Sequence, residues 1–272
     1  MFPSLSGRIA LVTGASRGIG RASALALAQA GAHVIATART EGALTELDDE
    51  ARALTGRSLT LVTAKLENGG GVDRLGGAIF ERWGRLDVLV HAAAQLGPMS
   101  PLGHVDVRDW EKTVTVNLTA SWRLIRSADP LLRRSDSGRA IFLTSGVAQA
   151  PRAFWGPYAV TKAGLEAMVR TYADETDHTP IRPVLLNPGA MRTQMRAEAM
   201  PGEDPASLPD PADIGPLVVE LARGDREPPP YVSFRAWAEG RGASGAGGRS
   251  SAASACPVPG GRVSRAAPSP SA

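Results

Sequence analysis

The chain has 272 residues, of which 43% are hydrophobic and 5% aromatic, and its formal net charge at pH 7 is +3. This length suits one α/β domain of ordinary core size. A single cysteine, Cys256, excludes an intrachain disulfide framework and a multi-cysteine metal site, and the four histidines have no ligand spacing. No apolar run approaches the roughly 18 residues of a membrane span, and the N-terminus lacks a signal-peptide pattern. We therefore expect a metal-free, cytoplasmic protein without a membrane partner.

The excess positive charge lies at the C-terminal end. Residues 235–272 hold five arginines and one glutamate, a net charge of +4 that leaves −1 for residues 1–234. Most of this segment is Gly, Ala, Ser or Pro, a composition that buries too little apolar surface to fold. We predict one domain over residues 1–234 and a disordered basic tail over residues 235–272. Scattered arginines are weak evidence for binding anionic polymers, and no nucleic-acid partner is expected.

Apolar runs and helical patterns alternate along the chain. Strands are predicted at residues 8–13, 33–37, 59–63, 86–90, 139–144 and 183–186, with a candidate edge strand at 231–234. Helices are predicted at residues 18–30, 41–54, 71–84, 106–134 (continuous or interrupted), 157–177 and 213–222. This alternation indicates crossover connections and a parallel sheet, and the continuous apolar strands indicate helices on both faces. The expected fold is a doubly wound α/β structure, a Rossmann-like three-layer α/β/α arrangement with six to seven strands.

The first predicted strand runs into a glycine-rich turn, Thr13 to Gly20, with the spacing T-G-x-x-x-G-x-G. Glycine permits a tight turn and lets backbone N–H groups approach a pyrophosphate, and the start of the following helix adds partial positive charge. Glycine clusters are common in turns, but a position between a first strand and a first helix is the context that dinucleotide binding requires. The candidate contacts in this turn are Gly14, Ser16, Arg17, Gly18, Ile19 and Gly20.

The end of the second predicted strand bears on the kind of nucleotide. Residues 36–40, A-T-A-R-T, have no acid at the position that usually binds a free ribose 2′-hydroxyl. Arg39 and Arg17 are instead placed where a 2′-phosphate would lie. Both arginines also fit solvated surface positions. We expect NADP(H) rather than NAD(H) as the cofactor.

A candidate proton-transfer site follows the fifth predicted strand. Ser145 stands at the strand end, and Tyr158 and Lys162 lie four residues apart on one face of the next helix. A neighbouring cation favours the phenolate and lowers the pKa of a tyrosine, which can then exchange a proton with a carbonyl or an alcohol. The pattern Y-x-x-x-K also occurs in helices where the tyrosine is a core aromatic and the lysine is solvated.

Together these motifs resemble the short-chain dehydrogenase/reductase family over about residues 6–225. The matching set also contains Asn117, Asn187-Pro188-Gly189 and Thr193. The resemblance implies an NAD(P)-dependent enzyme that interconverts a carbonyl and a secondary alcohol by hydride transfer. It also implies a small-molecule substrate and a homodimer or homotetramer that pairs through the helices at residues 107–134 and 157–177.

The resemblance further implies roles for individual residues. Tyr158 would be the acid/base, Lys162 would lower its pKa and bind the nicotinamide ribose, and Ser145 would orient the carbonyl. Asn117 would kink its helix around a water that connects Lys162 with solvent. Taken singly, Asn117 also fits a mid-helix polar position and Ser145 a strand-end cap. The remaining cofactor contacts would be Leu66, Ala92, Ala93, Pro188, Gly189 and Thr193.

Two segments depart from the family pattern. After the fourth strand the family usually has N-N-A-G, whereas residues 91–94 are H-A-A-A and lack the side-chain amides that stabilise the sheet beside the adenosine. After the third strand, Lys65 and Leu66 stand where an acid often contacts the adenine. The altered segment at residues 91–94 keeps an alternative open, a nucleotide-binding regulatory or scaffold protein with this fold and little turnover.

Overall fold

The computed structural model describes residues 4–245, and within them one parallel sheet organises the chain. Its strands lie in the spatial order β3-β2-β1-β4-β5-β6-β7. The strands are β1 (Ile9–Thr13), β2 (His33–Ala38), β3 (Thr60–Thr63), β4 (Val88–His91), β5 (Arg139–Leu143), β6 (Arg182–Asn187) and β7 (Tyr231–Ser233). All six neighbouring pairs are parallel, including the short edge strand β7 against β6.

Helices connect the strands and cover the sheet. They are α1 (Gly18–Gln29), α2 (Glu41–Thr55), α3 (Gly69–Trp83), α4 (Val107–Val114), α5 (Ala120–Leu132), α6 (Gly156–Glu175), α7 (Gln194–Ala199), α8 (Gly215–Leu221) and α9 (Phe234–Gly245). Short 3₁₀ turns lie at Leu102–His104, Gly146–Ala148, Pro205–Ser207 and Pro211–Ile214. No helix within residues 4–245 combines the length and the apolar character that crossing a bilayer requires.

Alternate residues of each strand enter two apolar layers, one on each face of the sheet. In β1, Ala10 and Val12 belong to the layer that includes buried residues of α1, α2 and α8. Ile9 and Leu11 belong to the opposite layer, formed with α3, α5 and α6. This period of two, with both faces covered, explains why the strands are apolar throughout. The predicted three-layer doubly wound fold is confirmed, with seven strands.

The strand order places the functional edge of the sheet. β1 and β4 are neighbours although two strands separate them in sequence, so the sheet is built outward in both directions from this pair. In an open parallel sheet, such a reversal leaves a crevice beyond the carboxyl ends of the strands, where ligands bind. The loops that follow β1, β2, β4, β5 and β6 all open at this edge.

The helix predicted at residues 106–134 is interrupted. A π-helical turn at Thr115–Thr119 separates α4 from α5, and Asn117 lies at its centre. A π turn adds a residue to the helical repeat and frequently marks a functional site. The interruption therefore directs the Asn117 side chain toward the loop that follows β4.

The predicted boundary at residue 234 does not match the structure, because the chain continues beyond it as α9. Phe234 is buried and its ring lies 5.9 Å from that of Trp237. The Trp237 indole packs partly buried against the core and donates a hydrogen bond of 3.0 Å to Glu220. These two aromatic side chains anchor a segment whose average composition predicted disorder. The rest of the predicted tail, residues 246–272, lies outside the described residues.

Candidate active site

A cleft with a cavity volume of about 510 Å³ opens at the carboxyl ends of the strands. Most of the predicted cofactor contacts line it, namely Gly14, Ser16, Arg17, Gly18, Ile19, Gly20, Arg39, Leu66, Ala92, Ala93, Tyr158, Lys162, Pro188 and Thr193. Gly189, also predicted, is not among the lining residues, and its N–H is bound by the Asn187 side chain at 3.0 Å. The fold thus brings together segments that are separated by up to 180 residues of sequence.

The glycine turn lies against the loop that follows β4. Gly14 has φ = 69°, and a Cβ there would stand 2.7 Å from the Cα atom of Ala93. A Cβ at Gly20 would stand 2.2 Å from the carbonyl oxygen of Gly14. Both approaches require glycine. At the start of α1, Arg17 makes no side-chain cap, so the first backbone N–H groups of the helix are available to an anion.

Two polar side chains that the sequence analysis did not select line the same cleft. Thr37, in β2, is 2% exposed, and its hydroxyl has no hydrogen-bond partner among the described residues. Arg21 forms a 2.6 Å ion pair with Glu50, but its Nη1 atom is buried and likewise has no partner among the described residues. Arg39 is exposed beside them. The sequence analysis placed Thr37 only in the second predicted strand, and the lack of a partner for its hydroxyl among the described residues is visible only in three dimensions.

The far wall of the cleft is formed by the segment after β6. The Arg17 guanidinium donates a hydrogen bond to the Gln194 side chain. A Cβ at Gly18 would lie 3.3 Å from the Cγ2 atom of Thr193, so the nucleotide turn and the start of α7 are in contact. The Thr193 hydroxyl caps α7 by accepting a hydrogen bond from the N–H of Arg196 at 3.2 Å. The predicted contact residue Thr193 therefore borders the glycine turn.

Tyr158, Lys162 and Ser145 meet where α6 passes the end of β5. Tyr158 is 8% and Lys162 4% exposed, and the Lys162 Nζ atom lies 5.7 Å from the centre of the Tyr158 ring. Lys162 donates a 2.7 Å hydrogen bond to the carbonyl oxygen of Leu143, the last residue of β5. Ser145 caps the next turn by accepting a hydrogen bond from the N–H of Val147, and its side chain is close enough to the Tyr158 hydroxyl to act on the pKa of that phenol. The fold thus joins the three residues that the sequence singled out for proton transfer.

The direction of the Tyr158 pKa is opposite to the prediction. Burial raises the pKa of Tyr158 to about 12, and the neighbouring Ser145 side chain only partly opposes this shift. Burial also lowers the pKa of Lys162 to about 8. The prediction considered a cation near a solvated phenol, whereas both groups are withdrawn from water and each charged form is therefore disfavoured.

Lys162→Met is expected to remove a pH-dependent part of the stability. The folded chain releases this proton near pH 8 and the unfolded chain near pH 10.5. Between these values the unfolded state binds more protons, so rising pH favours the folded wild type. The free energy of unfolding of the wild type, minus that of the variant, should rise by up to roughly 3 kcal/mol across this pH window, measured by urea unfolding. Lys112→Met, at an exposed lysine of α4, is the control and should show no such growth.

Asn117 holds the loop after β4 rather than acting on substrate directly. Its side-chain oxygen accepts the N–H of Gln95, and its Nδ2 donates to the Gln95 carbonyl, both at 2.8 Å. Nδ2 also donates to the Thr161 hydroxyl at 3.1 Å. The side chain is 1% exposed, and these contacts occupy it. Asn117 thereby links the π turn to α6 and to one wall of the cleft.

An apolar cluster surrounds the phenol of Tyr158. Its buried members are Leu96, Val147, Tyr158 and Ala159, and its partly buried members are Ala94, Trp155, Met195 and Ala199. Next to it, Phe154 is 54% exposed and has φ = 71°, a backbone conformation that is strained for a bulky residue. The neighbouring Met191 is 2% exposed and belongs to the core rather than to this cluster. The cleft thus has an apolar wall beside its polar one.

Comparisons with known proteins agree with this geometry. A family model described as short chain dehydrogenase matches residues 8–204. The uncharacterized oxidoreductase YciK of Escherichia coli K12 is 38% identical over 237 residues, which cover 85% of this chain and 92% of that protein. The NADPH-dependent pterin aldehyde reductase of Arabidopsis thaliana is 30% identical over 191 residues, which cover 70% of this chain and 78% of that protein.

Solved structures are similar over most of the chain. A short chain dehydrogenase from Shigella flexneri 2a complexed with NADP has a TM-score of 0.82 at 36% identity, covering 86% of this chain and 98% of its own. One from Escherichia coli CFT073 complexed with NADPH has a TM-score of 0.80 at 37% identity, covering 85% and 96%. The parallel sheet with its glycine-lined cleft defines a Rossmann-fold protein. This chain belongs to the short-chain dehydrogenase/reductase family of oxidoreductases.

Proposed function

We propose that this protein is an NADP(H)-dependent oxidoreductase that interconverts a carbonyl and a secondary alcohol. The observation that carries the proposal is that two sets of residues border one cleft. Tyr158 and the buried Lys162 line the same cavity as Gly14 and Gly20 of the glycine turn. A proton-transfer group beside a nucleotide site is the arrangement that hydride transfer to or from a carbonyl carbon requires.

Three features of the cleft fit a dinucleotide. A Cβ at Gly14 or Gly20 would meet backbone atoms at less than 3 Å, so the turn can present only backbone to a ligand. The backbone N–H groups at the start of α1 favour a pyrophosphate. The buried Thr37 hydroxyl lacks a partner among the described residues and can bind a hydroxyl or phosphate of the ligand. When bound, NADPH supplies the hydride, and residues of the chain manage the proton.

In the direction of reduction, Tyr158 donates the proton to the substrate oxygen. Its raised pKa keeps the hydroxyl protonated at neutral pH, as a donor must be. Ser145, whose side chain lies next to the Tyr158 hydroxyl, orients the same oxygen. Lys162, held by the Leu143 carbonyl, stabilises the negative charge that remains on Tyr158 after proton transfer. The buried Lys162 ammonium thus stabilises the Tyr158 phenolate that proton transfer leaves, and not the neutral phenol that precedes it.

The wall around Tyr158 favours a substrate with an apolar body. Leu96, Val147, Trp155 and Met195 flank the phenol, and burying an apolar group against them is favourable. The charges of the adjacent segment are paired, because Arg192 forms an ion pair with Asp210, as does Arg196 with Glu203. A ketone with an aromatic or alkyl substituent therefore fits this side of the cleft better than a carboxylated analogue.

The proposed function is tested with purified protein, NADPH and a panel of ketones that pairs each apolar compound with a carboxylated analogue. We expect NADPH oxidation, monitored by absorbance, with the apolar member of each pair preferred. Tight NADPH binding without oxidation across the panel would contradict the proposal. That result would instead support the alternative, a regulatory or scaffold protein with the same fold.

Arg39→Ala is expected to weaken NADPH binding by about 10- to 100-fold and to leave NADH binding nearly unchanged. A hydrogen bond to a charged group contributes about 1.5–3 kcal/mol, and Arg39 lines the cleft directly after β2. The two affinities are measured by fluorescence titration. Arg57→Ala is the control, because this arginine binds the carbonyl oxygens of Gly31 and Ala28 outside the cleft. An equal loss for both cofactors would contradict the assignment of Arg39 to the 2′-phosphate.

We also infer a homodimer or homotetramer. Two large apolar side chains on the helices expected to pair are exposed, Trp122 on α5 at 48% and Val160 on α6 at 46%. Covering such side chains in an oligomer is favourable. Sedimentation equilibrium measures the subunit number.

A further inference from the structure

A buried histidine stands where the family pattern has side-chain amides. His91, the last residue of β4, is 2% exposed, and its ring lies between β1 and α5. Its Nδ1 atom is 2.7 Å from the Thr13 hydroxyl, and its Nε2 atom is 2.8 Å from the Ser121 hydroxyl. Thr13 and Ser121 are themselves completely buried. The ring therefore spans the gap between the sheet and the interrupted helix.

The surrounding hydrogen bonds determine which ring nitrogen carries the proton. Ser121 uses its only hydroxyl hydrogen to donate to the carbonyl oxygen of Asn117 at 2.7 Å, so it must accept from Nε2–H of His91. In the neutral ring, Nδ1 then accepts the Thr13 hydroxyl hydrogen. Burial, reinforced by the charge of Lys162, lowers the pKa of His91 to about 3 and keeps the ring neutral.

This network holds the loop at residues 92–95, which forms one wall of the cleft, at two positions. The Thr13 hydroxyl accepts the N–H of Ala93 at 3.4 Å, and Asn117 binds the backbone of Gln95 at two points. Ala93 is also the residue against which Gly14 packs without room for a Cβ. A displacement of the loop by a few tenths of an ångström would therefore change the space beside the glycine turn.

We propose that His91 is a positioning residue for cofactor binding. With its proton on Nε2, His91 connects β1, the loop at residues 92–95 and the π turn into one rigid wall of the cleft. The inference rests on the proposed function of this cleft. This role of His91 explains how the segment is held without the side-chain amides of the family pattern, because the imidazole, which is longer than an asparagine amide, reaches Thr13 and Ser121 simultaneously. Asn117 and Thr13 hold the loop, and His91 connects them through Ser121.

The test compares NADPH affinity in His91→Phe and His91→Asn. Phenylalanine retains the ring beside Phe142, whose centre lies 5.9 Å away, but loses both hydrogen bonds. We expect the NADPH Kd of His91→Phe to rise about tenfold or more while kcat at saturating cofactor changes less. Asparagine restores a donor and an acceptor and should recover part of the affinity. Should His91→Phe not fold, Ser121→Ala removes the bonds of the Ser121 hydroxyl to His91 and to the Asn117 carbonyl oxygen and is expected to weaken NADPH binding as well.

A matched control separates positioning from a general loss of stability. Ser135→Ala deletes another buried hydroxyl, which donates to Asp87 at 2.6 Å near the opposite end of β4. This variant should lower Tm but leave the NADPH Kd unchanged. Long-range ¹H–¹⁵N spectra of wild type provide a readout independent of activity, and they should show the proton of His91 on Nε2.

Any one of three outcomes would overturn this inference without affecting the proposed function. These are wild-type NADPH affinity in folded His91→Phe, an equal loss of affinity in Ser135→Ala, or a proton on Nδ1 of His91. Failure of the wild type itself to bind NADPH would be a different result, because it would overturn the proposed function and this inference together.

Discussion

Replacing Tyr158 by phenylalanine is expected to lower kcat for carbonyl reduction by about 10²- to 10⁴-fold. The variant keeps the ring within the cluster of Leu96, Val147 and Ala159 but removes the hydroxyl that is proposed to deliver the proton. Because Tyr158 is 8% exposed, bulk water cannot easily replace its hydroxyl. The rate is measured as NADPH oxidation at saturating substrate, and NADPH affinity should remain close to that of wild type.

Tyr172→Phe is the control for this experiment. Tyr172 lies on the same helix and is 5% exposed, and its hydroxyl donates a 3.0 Å hydrogen bond to Asp129 outside the cleft. Its loss should reduce stability by about 1 kcal/mol and leave the rate unchanged. Substantial turnover in Tyr158→Phe would remove tyrosine from the mechanism. A comparable loss in both variants would indicate a folding defect rather than missing chemistry.

Gly14→Ala is expected to raise the Kd for NADPH on the order of a hundredfold, or about 3 kcal/mol. The new Cβ would stand 2.7 Å from the Cα atom and 2.8 Å from the backbone nitrogen of Ala93, so the turn and the loop must move apart. Alanine is also strained at φ = 69°. Isothermal titration with NADPH measures the effect, alongside thermal unfolding.

Gly56→Ala separates backbone strain from steric overlap. Gly56 has φ = 70° at the end of α2, and a Cβ there has nothing within 4 Å. This variant should lose about 1–2 kcal/mol of stability without a change in NADPH affinity. If Gly14→Ala and Gly56→Ala bound NADPH equally well, close contact between the glycine turn and Ala93 would have no part in cofactor binding.

The sequence predicted most of the elements because their signals are local. The apolar run that contains β1 ends at Gly14, and the helical pattern that begins at Gly18 needs no distant residue to be recognised. The spacing of Tyr158 and Lys162 likewise places both on one helical face whatever surrounds them. The same local reasoning did not predict the helix over residues 235–245. There, a high content of small residues outweighed one aromatic anchor, Trp237, whose contribution depends on the core that it contacts.

The electrostatics of the site could not be predicted in the same way. The proximity of Lys162 to Tyr158 was visible in the sequence, but the burial that raises the pKa of Tyr158 comes from Leu96, Val147 and other residues of separate segments. Desolvation depends on the whole environment of a group and not on one neighbour. The sign of the shift was therefore decided by packing.

The sequence alone thus determined the parallel α/β architecture, the glycine turn and the Tyr158–Lys162 pair, because helical and strand periodicity and glycine stereochemistry act within a few residues. Only the tertiary structure decided that His91 bridges Thr13 and Ser121, that Asn117 holds Gln95, and that the buried Thr37 hydroxyl has no partner among the described residues. These partners lie 22 to 78 residues apart in the chain. Hydrogen bonds at such separations depend on where the sheet and the interrupted helix bring the chain together, and no local pattern encodes them.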